Sequence, residues 1–262
     1  MTAWRLTLTA LLWGVLGVPL LWPLVQLARQ PAAWSAWHDT SRLLELADNT
    51  VRLVAGTLAI AAPLGILLAV LLYRSDLPGR RVFRFALILL LFVPLPLFAS
   101  AWQATLGAGG WLAGSGEWRP WVQGIWPAIW VHALAALPWI VLLVGQGLCW
   151  VERELEEDAL TVASPWRVFW RFTLPRARAA LAAALLWTAV LTAAEITVTD
   201  LMLVRTFAEE VYTQFTLQNP DDLPRAVAVS LPATALATLL VLGAARHWRT
   251  SLPPLTQAAE PF

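Results

Sequence analysis

ERELEEDALTVASPWRVFWRFTLPRAR, residues 152–178, is a charged, helix-patterned segment set between two very apolar stretches. Five acids, Glu152, Glu154, Glu156, Glu157 and Asp158, precede Ala159, Ala163, Ser164-Pro165, an aromatic run and Thr173-Leu174-Pro175. A lipid-embedded bundle has no use for such a segment, so it is predicted to face a soluble partner. Residues 155–162 hold no Pro or Gly and read as helix. Ser164 then Pro165 is a cap-and-first-turn signal for a second short helix, 165 to about 172, ended by Leu174-Pro175. That helix carries Trp166, Phe169, Trp170 and Phe172, with Arg167 and Arg171 on another side. Two short helices meeting at an angle, with apolar knobs and exposed acids, suit a groove on a partner protein. The competing reading is an amphipathic helix lying on the membrane, which the acidic block opposes because anionic lipid repels it.

Around this segment the chain is 59% hydrophobic and 13% charged, with mean hydropathy +0.64, far from a soluble domain. Charge-free stretches run 6–28, 53–73, 85–116, 120–151, 179–194 and 226–245. Most are long enough to cross a hydrocarbon layer of ~30 Å at ~1.5 Å per residue. The expected fold is all-α: a polytopic membrane protein of six spans, one domain over 1–262, with a core of 49–245 and a tail of 246–262. With both termini inside, twelve of the eighteen arginines fall in inside segments and six outside, which supports that orientation. A cleaved signal peptide is the alternative for the first segment, but 6–28 is long and offers no good small-x-small site. Many of the 17 Trp sit near span ends, as an aromatic belt places them. One Cys, Cys149, excludes an intrachain disulfide. A net charge of +1 makes no case for nucleic acid.

Along the chain, span one is about 6–27, and 28–50 is an outside loop in which Asn49 or Thr50 caps the start of span two, about 51–73. Pro78-Gly79 makes the following turn. Span three, about 83–104, contains Pro94 and Pro96, which cannot both sit in an unbroken helix, so a kink or unwound stretch is expected. Span four is about 124–149 with His132 and Pro138, span five about 177–200, and span six about 226–245. Residues 206–224 read as an outside loop with Val211, Tyr212 and Phe215 at helical spacing. Pro94, Pro96 and Pro138 are candidates for shaping gates.

The loop resembles the cytoplasmic EAA loop of type I ABC transporter permeases, the pore-forming subunits of binding-protein-dependent importers. Anchored on Leu174-Pro175, the family Glu falls on Glu156 and its small residues on Glu157 and Asp158. Ala159 follows, then Val162 in the family glycine's place, Ala163, Phe169 and Phe172. Val162 takes a left-handed turn less cheaply than Gly, so the bend is built differently or shifts to Ala163-Ser164. Asn49-Thr50, the run from Arg74 to Gly79, HALAALPW from His132 to Trp139, and Glu195 are similar to the iron(III)/thiamine-type branch. The resemblance implies a loop that docks on a cytoplasmic ATPase dimer, a second permease subunit (identical or homologous), and an extracytoplasmic solute-binding protein. It implies a bacterial inner-membrane location. The chain has no Lys and no phosphate-binding Gly-rich loop with Lys, so ATP and magnesium belong to the partner subunit.

Glu195 and Asp200 are the acids placed in or at the edge of the membrane, where an ionised carboxylate is expensive. Either they line the outer mouth of the pathway, with Thr192, Thr197 and Thr199 nearby, or Glu195 caps a helix or pairs with Arg205. Both acids face one lumen only if 196–199 unwinds or the cavity wraps the helix. His132 is a weaker pathway candidate, since a lone His in a span more often bonds between helices. No His, Cys or acid spacing suggests a metal or organic cofactor. The expected function is an importer permease for iron(III) or a similar cation. The alternatives are an oxyanion permease (molybdate, sulfate or phosphate) using Arg205 and Arg225, a membrane enzyme built on Glu195, Asp200 and His132, or a non-transporting scaffold.

Overall fold

The computed structural model describes residues 3–107, 110–112, 123–216 and 223–248, and every regular element in them is helical. Expectations for 113–122, 217–222 and the tail beyond 248 lie outside the described residues. The order is α1 Ala3–Leu12, α2 Val18–Arg29, α3 Thr40–Tyr73, α4 Arg80–Leu90, α5 Leu95–Leu106, α6 Ile125–Cys149, α7 Arg153–Val162 and α8 Pro165–Val168. It continues with α9 Leu174–Arg176, α10 Arg178–Ala194, α11 Thr197–Leu201, α12 Phe207–Thr216 and α13 Leu223–Trp248. Wide π turns, Trp13–Gly17 and Phe169–Thr173, join α1 to α2 and α8 to α9.

α3, α6 and α13 are long and apolar enough to cross a membrane. Three further helix pairs pass the same test but are bent; the count reaches six if each pair is one span. The stretch read as span one is such a pair, bent by 54°. Pro19, at the start of α2, and Pro23, inside it, lack the N–H that a regular ladder needs. The chain between α4 and α5 turns by 102°. Pro94 is extended there (φ −68°, ψ 141°) and Pro96 lies in the first turn of α5, so both prolines sit where a missing donor costs nothing. The break expected from these two residues is therefore present. Pro138, by contrast, is buried inside α6, which runs through it as one helix.

Two sequence expectations are corrected. Asn49 and Thr50 do not cap a helix: α3 starts at Thr40 and runs through them for 34 residues. Asn49 instead donates from Nδ2 to the carbonyl of Arg205 at 3.1 Å. The loop reading of 206–224 is corrected in part: Phe207–Thr216 is helical, in keeping with the helical spacing of Val211, Tyr212 and Phe215.

The chain groups into two compact units. The first takes residues up to Asp48 together with Thr206–Leu239. Its acid Glu210 is buried, pairs with Arg42, and accepts from Gln214 Nε2 at 2.9 Å. A carboxylate removed from water requires such partners. Leu27, Ala33 and Ala228 form its small core.

The second unit, Asn49–Arg205 and the residues from Leu240 on, holds the site. Its core joins α3, α6 and α10 through Ala61, Ala69, Ala136, Ile140, Val144 and Ala184. Between helices in lipid, association rests on close packing and not on exclusion of water, so small residues on these faces are what the environment demands. Gly65 of α3 lies so close to Ile140 that any Cβ there would run into the isoleucine side chain. A second cluster, including Leu53, Ala99, Ile129, Val198 and Met202, ties α5 and α11 onto α3 and α6.

Candidate functional site

The loop begins where α6 ends. Acids in the first turn of α7, Glu154 and Glu156, suit the positive end of a helix. α7 stops after Val162 because Ala163 (φ −142°, ψ 155°) and Ser164 (φ −65°, ψ 150°) are extended. A residue preceding proline is pushed out of the helical region, so Pro165 itself sets the bend. No left-handed residue is needed, which is why Val162 serves where the related pattern has glycine. Ser164 holds the N-cap position of α8 without a side-chain cap bond. The sequence reading ended the second helix at Leu174-Pro175; instead the helical path continues to Arg176. It breaks at Ala177 (φ −82°, ψ 4°), where the chain turns 70° into α10.

The acids divide. Glu157 and Asp158 are exposed, whereas Glu156 turns inward, correcting the expectation that it faces water. Glu156 Oε2 pairs with Arg74 Nη1 at 3.0 Å, and its Oε1 accepts from the buried Thr173 hydroxyl at 2.8 Å. Outward stand Val162, 85% exposed, and Trp166, 72% exposed, with Trp170 beside Trp166 edge to face. Ala159, Ala163 and Leu174 are half-buried, and Ser164, Pro165 and Pro175 are exposed. Phe169 is half-buried against Trp170, and Phe172 lies under the Arg176 guanidinium.

At the other end of the unit, α10 and α11 are separated by Glu195 (φ −83°, ψ 135°) and Ile196. Glu195 Oε1 accepts the Thr197 N–H at 2.7 Å and Oε2 the Val198 N–H at 2.9 Å, so the carboxylate caps α11. Its side-chain neighbour is His132 of α6, with Nε2 3.3 Å from Oε2, and not Arg205, whose side chain is exposed. His132 is buried, and its Nδ1 donates to the Ala128 carbonyl at 2.7 Å, since a carbonyl only accepts. The capping role read for Glu195 is thus filled by these two bonds. Asp200 and Thr197 are exposed, while Thr199 is buried and donates to the Ile196 carbonyl. The two acids are thus not brought together.

Beside His132 lies a cavity of about 200 Å³, walled by Leu91, Val93 and Phe98 around the 102° bend, and by Trp139, Thr188 and Thr192. Thr188 is buried and its hydroxyl makes no hydrogen bond among the described residues; sequence reading passed over it, and it named Arg74 and Thr173 without foreseeing their bonds to Glu156. No group of three His, Cys, Asp or Glu able to hold a metal occurs among the described residues.

Comparison with known proteins bears on the family and the fold. The chain is 25% identical over 203 residues to the Fe(3+)-transport system permease protein FbpB 2 of Haemophilus influenzae. That match covers 77% of this chain but only 37% of the relative, so the chain spans little more than a third of its length. A bacterial ABC transporter involved in import of the acidic polysaccharide alginate superposes with a TM-score of 0.71 at 18% identity, covering 95% of this chain and 94% of that one. The MetNI methionine ABC transporter, in inward-facing form, gives 0.57 at 17% identity over 80% of this chain and 94% of that one. These likenesses establish an all-α, multi-pass fold of the type I ABC-importer permease kind. The matched proteins are permease components, not enzymes. The family described as binding-protein-dependent transport system inner membrane component matches residues 61–249, and the chain belongs to it.

Proposed function

We propose that the chain is the pore-forming permease subunit of an ATP-driven importer, a single domain over 1–262 with six spans and both termini in the cytoplasm of a bacterial cell. Residues 152–176 are its coupling loop and dock on an ATPase dimer that binds the ATP and magnesium. A second permease subunit completes the pore, and an extracytoplasmic binding protein hands over the solute. The supporting observation is the loop itself: two helices bent at Ala163–Ser164 leave Val162 and Trp166 exposed, uncovered by any span among the described residues. Large exposed apolar side chains rimmed by charge are the composition of an interface core. Reconstitution with the ATPase and the binding protein tests the reading: solute uptake and solute-stimulated hydrolysis must require this chain, and a chain that turns over substrate alone would refute it.

The cargo reading is iron(III) or a similar cation, and its support is the likeness to the Fe(3+)-transport system permease protein of Haemophilus influenzae. Glu195 adds little to it, because its carboxylate is engaged by two backbone amides and His132. Uptake measured with a cation and an anion panel decides the matter. Selective loss with Arg205→Gln and none with Glu195→Gln would replace the cation with an oxyanion.

A further inference from the structure

Span two, the first part of the core, has no chain connection to the loop: the loop is bonded only to α6 and α10. Besides apolar packing, a hydrogen-bonded link runs through one side chain among the described residues. Arg74, the residue after α3, donates from Nη2 to the carbonyl of Leu148 in the last turn of α6 at 2.8 Å, and to that of Val151 in the turn leading to α7 at 3.4 Å. Its Nη1 pairs with Glu156 at 3.0 Å, and Glu156 in turn accepts from Thr173, four residues before the Ala177 break. One guanidinium therefore joins the ends of α3 and α6 to both arms of the loop. Behind it, Arg84 of α4 donates from Nε to the Leu72 carbonyl at 3.0 Å and lies over the Tyr73 ring. α4 leads directly into the bend that walls the cavity.

We infer that Arg74 is the positioning residue through which a force on the loop reaches span two and the bend beyond α4, and that Glu156 is its internal partner rather than a docking charge. The inference rests on the reading of 152–176 as the ATPase-docking loop. Contiguous bonded groups of this kind carry coupling only if loosening one of them separates docking from work.

The experiment uses the whole complex in proteoliposomes, with binding of the ATPase and solute moved per ATP measured together. Arg74→Gln should keep ATPase binding within about twofold of wild type, as substitutions away from a contact do. Solute moved per ATP should fall about tenfold, within the range that coupling substitutions reach. Arg74→Lys, which keeps a charge for Glu156, should recover much of the loss. Thr173→Val, which leaves Arg74 and its carbonyls in place and frees one carboxylate oxygen, should show the same split and serves if Arg74→Gln accumulates poorly. Loss of ATPase binding in proportion to uptake would reduce Arg74 to a prop for the docking surface and overturn the inference. Unchanged solute per ATP in both variants would overturn it as well. Trp166→Ala separates the two claims: if it leaves ATPase binding intact, the docking reading fails and the inference falls with it.

Discussion

Glu195 and Asp200, five residues apart, meet opposite conditions, and the difference sets the cost of changing each. Glu195→Ala leaves two amides at the start of α11 without acceptors and removes the group that His132 faces. Loss of a cap of this kind costs about 1 kcal/mol. The thermal midpoint in detergent should drop measurably for Glu195→Ala. Asp200→Asn, at an exposed site, should stay within about 0.5 kcal/mol of wild type. Equal losses in the two variants would show that Glu195 does not cap. Gly65 gives a second residue-scale expectation: Gly65→Val drives a branched side chain into Ile140 and should cost about 1–3 kcal/mol through overpacking, read as the same midpoint. A variant as stable as wild type would mean that α3 and α6 are not closely packed there.

Among the elements, the bend of the loop depends on a proline where the related pattern uses glycine. Pro165→Ala removes the steric pressure on Ser164 and should weaken ATPase binding while leaving the melting midpoint unchanged, because the residue is exposed. If binding by Pro165→Ala matches wild type, the bend is fixed by something else. Trp166→Ala should cost binding about 2 kcal/mol, roughly 30-fold in Kd, as a central aromatic anchor does. Elements of this kind were legible in sequence where a residue constrains its own backbone. Pro94 and Pro96 announced the break, Pro78-Gly79 the turn with Gly79 at φ +80°, and hydropathy marked the C-terminal end of α3 and both ends of α6. Legibility failed where a polar side chain's partner is distant in sequence. Asn49 looked like a cap because its partner, the Arg205 carbonyl, belongs to a turn far along the chain. Glu156 looked solvent-facing for the same reason, since periodicity carries no record of Arg74.

For the molecule as a whole, orientation is open to a direct check, because the lone thiol is exposed at the loop end of α6. An impermeant maleimide should label Cys149 in inside-out vesicles and not in sealed cells; labelling from outside would invert the proposed topology. The general architecture was readable in advance because six long apolar stretches leave a membrane protein few alternatives. The burial of α6 was not, since a helix apolar on all sides can face lipid or protein equally well. α6 is the most buried of the three long spans, 61% inside against 28% for α3 and 17% for α13. That ranking has a consequence in time. Synthesis completes α6 at Cys149, while the packing face of α10 and the carboxylate of Glu195 are still to be made. At roughly 5–20 residues per second, the ribosome needs about 2–9 s to supply them. During those seconds the helix destined for the centre has only earlier helices and lipid to lie against, and His132 has no acid to face. A stall in translation over 150–195 prolongs that interval and should raise the fraction of newborn chains lost to quality-control proteases, with no change in the finished protein.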